Sequence, residues 1–384
     1  MPKSACTERE KYVPLELYVH IPFCVKKCDY CDFLSGPAEI ERRREYVQAL
    51  RKEIQGVPPA EGYEVISVFF GGGTPSLLEA EQIRELLFCL KKKFLFSPDA
   101  EITIEANPGT LTKEKLEIYR NAGINRLSLG LQSADNRELR ELGRIHTYEE
   151  FLESFFLARK AGFDNINVDL MFAVPKQTCE GWEHTIRTVA ELKQEHISSY
   201  SLIIEEGTPF SERDLNLPDE ETEYRMYEDT AKILGQYGYH QYEISNYAEP
   251  GRECRHNTGY WRRTEYLGLG LGASSLYQDV RFSNTSDMEE YLREDSCPDK
   301  IRRELHRLTE KEKMEEFMFL GLRMTEGIRA EDFAGCFGIS LDEVYGEILR
   351  KYESGGFLEQ QDGFWRFTRS GIHVSNTILA EFLF

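Results

Sequence analysis

The sequence has no run of about 18 apolar residues, so no stretch of it is long enough to cross a membrane as a helix. Its first ten residues, MPKSACTERE, lack the apolar segment of a secretory signal. Basic residues are in deficit, since 47 Lys and Arg face 67 Asp and Glu, for a net charge of −20. This balance disfavours a broad contact with nucleic acid or an anionic membrane. We therefore expect a cytoplasmic protein that binds no nucleic acid.

A disulfide framework is also not expected, because nine cysteines are an odd number and the predicted compartment is reducing. Three of them, Cys24, Cys28 and Cys31, lie within eight residues, and the other six are scattered. A structural role does not readily explain this clustering.

The first two thirds of the chain alternate between short β-rich runs and amphipathic helical segments, which is typical of βαβ units. The predicted strands are Leu15–Pro22, Val65–Phe70, Glu101–Ala106, Arg126–Leu131, Asn165–Phe172 and Ser198–Ile204. The predicted helices between them lie near 39–55, 79–93, 112–121, 148–161 and 178–194. Six units are too few for a closed eight-stranded barrel. We expect an α/β fold with an open, partial (β/α)6 barrel of the TIM type, and a doubly wound sheet is the alternative.

The pattern changes after residue 300, where three helices precede a β-hairpin. A helix begins near Thr309, with Glu312 as the partner of a capping box, and others follow near 329–337 and 341–354. Strands at Phe357–Gln360 and Phe364–Thr368 flank a turn. These elements predict a small winged-helix-like α+β domain. We divide the chain into a barrel at 1–206, a connecting region at 207–300 and a C-terminal domain at 301–384.

The loop after the first predicted strand has the spacing Cys-x3-Cys-x2-Cys. Thiolates bind soft metals, and Lys26 and Lys27 between the cysteines favour the deprotonated form. Zinc would need a fourth ligand such as His20. Three cysteines on an iron–sulfur cubane would leave one iron open to another ligand. From the spacing alone, an iron–sulfur cluster, a zinc site and the absence of metal all stay open.

This Cys-x3-Cys-x2-Cys signature resembles that of radical S-adenosylmethionine (SAM) enzymes. The resemblance implies that Cys24, Cys28 and Cys31 hold a [4Fe-4S] cluster and that SAM chelates the fourth iron. It also implies the open barrel that the strand pattern predicts.

Further polar or glycine residues fall at the carboxyl ends of predicted strands, where parallel barrels place their active sites. By the resemblance they bind SAM, although a tight turn or buried ion pairs explain the same residue types. The SAM-binding candidates are Tyr18, Gly72, Gly73, Thr74, Glu105, Gln132, Arg144 and Asp169.

The strings LYVHIPFC, GGGTPS, EANPGT and GLQS resemble the oxygen-independent coproporphyrinogen III oxidases and their relatives, the HemW heme chaperones. The true oxidase has another cysteine where this chain has Phe33, and a longer segment ahead of the cluster. The resemblance is therefore closest to the chaperone branch. It implies heme as cargo, an acceptor protein, an electron donor and, as one arrangement, a homodimer. The alternative is the oxidase itself, which would decarboxylate coproporphyrinogen III, so we leave open whether the protein is an enzyme.

The segment from Cys254 to Trp261 contains the string His-Asn-x-x-Tyr-Trp, which resembles a signature of the heme-binding relatives. An imidazole can ligate heme iron, and aromatic rings can pack on a porphyrin face. Without the family, a buried structural histidine beside two aromatic residues explains the string equally well. Cys254 and Tyr260 are further candidates for the iron ligand. The heme-binding candidates in the string are His256, Asn257, Tyr260 and Trp261.

Overall fold

Six parallel strands with helices between them form the main body of the protein, whose computed structural model describes residues 12–293 and 297–383. The strands are β1 (Val13–Ile21), β2 (Tyr63–Gly72), β3 (Phe96–Ala106), β4 (Arg126–Gln132), β5 (Ile166–Phe172) and β6 (His196–Ser201). The helices are α1 (Ile40–Gly56), α2 (Ala80–Lys93), α3 (Lys113–Ala122), α4 (Asn136–Glu141), α5 (Tyr148–Lys160) and α6 (Cys179–Ala190). The first ten residues, on which the absence of a signal was predicted, lie outside the described ranges.

The six strands pair in their order along the chain, from β1 to β6. A doubly wound sheet reverses its strand order at a switch point, so the sequential order excludes that alternative. The expected open (β/α)6 barrel is confirmed. β3 begins at Phe96, ahead of the predicted Glu101, because an irregularity in its pairing with β2 accommodates the residues between them.

The chain after β6 extends the same sheet at both edges, which the sequence pattern did not predict in detail. The additional elements are α7 (Glu220–Gln236), β7 (His240–Gln241), β8 (Asn246–Ala248), α8 (Arg255–Trp261), β9 (Glu265–Leu269), β10 (Ser274–Tyr277), β11 (Val280–Asn284), α9 (Met288–Arg293), α10 (Pro298–Ile301) and β12 (Arg302–Arg307). β9 pairs in parallel with β1, while β8 pairs antiparallel with β6. Buried Glu53 ties α1 to this extension, since its carboxylate accepts hydrogen bonds from Gly270 N and Tyr291 Oη.

The C-terminal elements form a separate small α+β unit, as predicted. They are α11 (Glu310–Gly321), β13 (Ile328–Arg329), α12 (Ala330–Phe337), α13 (Leu341–Ser354), β14 (Leu358–Gln361), β15 (Phe364–Phe367), α14 (Arg369–His373) and α15 (Ser375–Ala380). Thr309 and Glu312 form the expected capping box at α11. A third strand, β13, pairs with the hairpin of β14 and β15. The sequence pattern did not predict β13, because it is only two residues long.

Two large hydrophobic cores, beside two smaller clusters of the described residues, underlie this arrangement. One extends from Leu15 to Ile301, and the other from Met318 to Phe382. β12 still belongs to the large sheet, although it follows residue 300. The division at residues 206 and 300 stays a prediction. Within 12–293 and 297–383, none of the helices has the length and apolar character needed to span a bilayer.

Candidate functional site

The loop after β1 carries the three clustered cysteines, and all three are partly exposed. Backbone hydrogen bonds hold the middle of this loop at Asp29, whose N donates to Leu142 O at 3.2 Å. Asp29 O in turn accepts from Phe210 N at 3.0 Å. Burial outweighs the positive charge of Lys27 and raises the pKa of the Cys31 thiol above its ordinary value. An iron ion bound at this thiol would reverse that preference.

The turn after β2 packs directly on the cysteine loop. Gly73 N donates to Ile21 O at 2.9 Å, and Thr74 N donates to Phe23 O at 2.7 Å. A Cβ atom on Gly73 would lie 2.7 Å from Phe23 O, so only glycine permits this approach. The Thr74 hydroxyl donates to Cys24 Sγ at 3.5 Å. The glycine turn therefore positions the first cysteine.

Two carboxyl groups face the same space from β3 and β5. Glu105 Oε2 accepts a hydrogen bond from Gly72 N at 3.1 Å. Asp169 accepts from Asn167 Nδ2 at 2.7 Å and from Ser128 Oγ at 3.0 Å. Burial, and secondarily the charge of Asp169, raise the pKa of Glu105 to about 8. A ligand that brings positive charge would restore the ionised carboxylates.

Arg144 approaches this pair of acids from the side of β4. Its Nη2 donates to Gly130 O and Asn107 Oδ1, both at 2.6 Å, and its Nη1 donates to Cys28 Sγ at 3.5 Å. Its Nε is buried and has no hydrogen-bond partner among the described residues. Gln132 ends β4 in a left-handed conformation, with φ of 78°, at a register shift against β5. Such shifts redirect side chains.

One cavity of about 430 Å³ at the carboxyl ends of the strands brings these residues together. Its volume lies within the usual range for small-molecule sites. Tyr18 is the one SAM-binding candidate that does not line it. The predicted residues that do so are Cys24, Cys28, Cys31, Gly72, Gly73, Thr74, Glu105, Gln132, Arg144 and Asp169.

Comparisons with known proteins agree with this geometry. The model of the Radical SAM superfamily matches residues 18–189, and the model of the HemN C-terminal domain matches 308–374. The heme chaperone HemW of Bacillus subtilis is 38% identical over 95% of this chain and 98% of its own length. HemW of Escherichia coli is 36% identical over 97% of this chain and 99% of its own. The chain belongs to the HemW family of radical SAM proteins.

The fold of this HemW-family chain is also close to that of a solved structure. Coproporphyrinogen III oxidase (HemN) from Escherichia coli superposes with a TM-score of 0.85 at 26% identity, covering 98% of this chain and 91% of HemN. The match includes the barrel, the sheet extension and the C-terminal unit. Membership in the radical SAM superfamily implies a [4Fe-4S] cluster and SAM as cofactors.

The residues at the mouth of the barrel fit such a cluster. In a cubane each cysteine binds its own iron, so the three thiols need not converge on one ion. Accordingly, no group of three His, Cys, Asp or Glu side chains in the described ranges is placed to hold a single metal ion. Thr74 and Arg144 each donate to a cysteine sulfur, the kind of contact that stabilises cluster sulfur charge. The assignment of individual ligands stays a prediction.

Tyr18 and His20 lie inside the barrel, beneath the glycine turn. The Tyr18 hydroxyl hydrogen-bonds to His20 Nδ1 at 3.0 Å, and His20 Nε2 donates to Leu34 O at 2.9 Å. Both ring nitrogens of His20 are therefore engaged, which leaves none for a zinc ion on the cysteines. Gly72 has a φ of +107°, and a Cβ there would lie 2.3 Å from the His20 ring.

The His-Asn-x-x-Tyr-Trp segment forms α8, which the sequence pattern did not predict as a helix. Its first residues hydrogen-bond to β3 of the barrel. Arg255 N donates to Glu101 Oε1 at 3.1 Å, and His256 N donates to the same oxygen at 3.4 Å. His256 is 2% exposed, and its Nδ1 hydrogen-bonds to Ser67 Oγ at 2.8 Å while its Nε2 hydrogen-bonds to Tyr260 Oη at 3.0 Å. Burial, aided by the charge of Arg126, lowers the pKa of His256 to about 3, so it is neutral.

The structure thus places His256 in the packed interior and half-buried Tyr260 against it, rather than in an open cavity. Trp261 packs instead with Tyr242 and Met324 at the outer face of α8, and Asn257 is partly exposed. Buried Cys254 donates to Glu101 Oε1 at 3.5 Å. A role of these residues in heme binding stays a prediction, and the histidine would have to leave two hydrogen bonds to ligate iron.

Several residues that carry no prediction nevertheless build the site. Asn107 joins Arg144 to Thr74, since its Nδ2 donates to Thr74 Oγ1 at 2.8 Å. Asn167 links Asp169 to His196, whose Nδ1 lies 2.6 Å from Asn167 Oδ1. Asn107 is part of the string EANPGT and is thus visible in the sequence. The contacts of Asn167 depend on the pairing of β5 and β6, and no local signal reveals them.

Proposed function

We propose that this protein is a heme chaperone, which binds heme and passes it to an acceptor protein. The observation that carries this proposal is the sequence identity of 36–38% to HemW proteins over nearly the full length of both chains. Phe33 after the third cysteine supports it further. We further propose a cytoplasmic location, an electron donor as a second partner and association into a homodimer.

At the barrel mouth, the proposal assigns the cluster to Cys24, Cys28 and Cys31. A [4Fe-4S] cluster with SAM supplies one-electron chemistry when bound. The protein's part is to orient the ligand and to exclude water. Gly72 and Gly73 would let SAM approach the backbone closely. Glu105 and Asp169 would attract the positive charge of SAM, and Arg144 would pair with the SAM carboxylate. The proposal also assigns to SAM binding Gln132, which lines the cavity, and Tyr18, which lies beneath the glycine turn.

An anaerobic titration tests the function. We expect the reconstituted protein to bind ferric heme saturably, at about one heme per chain, with the Soret absorbance as the readout. In parallel, the reduced protein with SAM receives coproporphyrinogen III, and we expect no protoporphyrinogen IX. Absence of saturable heme binding together with formation of that product would contradict the proposal and favour the oxidase.

A further inference from the structure

A second cavity, of about 470 Å³, lies on the side of the barrel away from the cysteine loop. It is lined by the outer face of α8, by His240 of β7 and by Met324–Glu326, which connect α11 to the C-terminal sheet. None of its lining residues lines the cavity at the mouth. Its volume also falls within the range of small-molecule sites, yet neither the cluster nor SAM accounts for it.

We propose that this second cavity is the heme site and that His240 is the ligand of the heme iron, an inference that rests on the proposed function. The His240 side chain is 43% exposed, and its Nε2 lies 2.9 Å from Glu253 Oε1, within ion-pair distance. Its Nδ1 has no hydrogen-bond partner within the described part of the chain. Metal-binding histidines commonly donate their second ring N–H to a carboxylate, which fixes the ring and raises its basicity.

His256 in the family-like string offers the opposite environment. Both of its ring nitrogens are hydrogen-bonded and its side chain is 2% exposed. Ligation by His256 would therefore cost two buried hydrogen bonds and opening of the core. Ligation by His240 costs neither, because its side chain is partly exposed and lines the cavity.

The lining of the cavity suits a flat apolar ring with two carboxylates. Tyr242 and Met324 provide apolar wall, and Trp261 packs behind them. Arg255 and Arg262 also line the cavity, and more than half of each side chain is exposed, although Arg255 pairs with Asp99 at 3.7 Å and Arg262 with Glu326 at 3.2 Å. Guanidinium groups pair well with carboxylates, so these two arginines match the two heme propionates.

The cavity also gives the His-Asn-x-x-Tyr-Trp string a role. His256 and Tyr260 anchor α8 in the barrel, while Thr258 on the opposite face and the backbone of Gly259 line the cavity. A Cβ on Gly259 would meet the buried Glu16 carboxyl at 2.1 Å, so glycine is required where α8 crosses β1. The string thus supports the heme site without supplying the iron ligand.

The test compares His240→Gly with His306→Gly in heme titrations of the reconstituted protein. His306 is a matched control because it is 55% exposed and its Nε2 also lies near a carboxylate, Glu312 Oε1 at 2.7 Å. We expect His240→Gly to weaken heme binding about tenfold or more and to lose the spectrum of histidine-ligated heme. Added imidazole should restore that spectrum, since it fills the space of the deleted side chain. His306→Gly should bind heme as the unaltered protein does.

Two outcomes separate this inference from the function on which it rests. If the unaltered protein binds heme and His240→Gly binds it with the same affinity and spectrum, His240 is not the ligand and the inference is overturned while the chaperone stands. If the unaltered protein shows no saturable binding, the proposed function fails and the heme site fails with it. Thermal unfolding followed by circular dichroism checks that both variants are folded.

Discussion

Two histidines near α8 differ in their surroundings at the scale of single residues: His256 is 2% exposed, whereas His240 is 43% exposed. The three cysteines lie within eight residues and the glycine run is contiguous, so their chemistry can be inferred from spacing. The burial of His256 could not be inferred, because its neighbours Ser67 and Tyr18 belong to strands that are far from α8 in the sequence. His240 carries no motif at all, and its candidacy depends on the cavity around it.

Glu105 makes a prediction about pH at this scale. Its raised folded-state pKa, about 8 against an ordinary 4.5, means that the folded protein holds a proton which the unfolded chain releases. The stability that this bound proton contributes is therefore fully present below pH 4.5, the ordinary pKa of the group, and is lost as the pH rises through about 8. In the protein without cofactors, we expect Glu105→Gln to lessen the fall in free energy of unfolding between about pH 5 and pH 9 by more than about 1 kcal/mol.

Urea unfolding across this pH range is the measurement, and Glu61→Gln at an exposed position is the control. The amide oxygen of glutamine can still accept the hydrogen bond from Gly72 N, so the variant isolates the charge. An unchanged slope in Glu105→Gln would show that the carboxyl is ionised in the folded protein.

At the scale of elements, periodicity predicted the long strands and helices well, and the Thr309–Glu312 capping box predicted the start of α11. The structure adds capping boxes at α5 and α13, which also join residues three apart and are therefore local signals. Short elements were missed: α8 has seven residues and β13 has two. Their conformations depend on contacts with the barrel and with β15, respectively, so tertiary packing decides them.

The contact between the glycine turn and the cysteine loop is the element-level feature with the clearest consequence. A Cβ at position 73 would lie within 2.7 to 2.9 Å of three backbone atoms of Ile21 and Phe23. Backbone cannot rotate away, so we expect Gly73→Ala to shift the cysteine loop and to cost about 1–3 kcal/mol of unfolding free energy. Cluster content after reconstitution and SAM affinity, measured by calorimetry, should both fall.

Gly235 in α7 is the matched control, because a Cβ there meets nothing within 4 Å. Gly235→Ala should leave cluster content and SAM affinity unchanged and should stabilise the helix slightly. Normal cluster content and SAM affinity in Gly73→Ala would show that the two segments can separate without affecting the site.

At the scale of the whole molecule, the cavity at the barrel mouth and the second cavity are built from separate sets of residues. The mouth gathers the cysteines and the SAM-binding candidates, and the second cavity is lined by His240 and the outer face of α8. The strand order and the convergence at the mouth follow from general rules for parallel barrels. The second cavity could not be predicted, because it forms only where the C-terminal unit meets the sheet extension, as at the hydrogen bond from Thr325 N to Tyr242 O.

The most direct test of this account asks whether the cluster and heme occupy separate sites. Cys28→Ser and the control Cys336→Ser, an exposed cysteine of α12, are reconstituted anaerobically, assayed for iron and sulfide, and then titrated with heme. We predict that Cys28→Ser loses the brown cluster absorbance but still binds about one heme per chain with an unchanged Soret spectrum. Loss of heme binding together with the cluster, in a variant that remains folded by circular dichroism, would contradict the account.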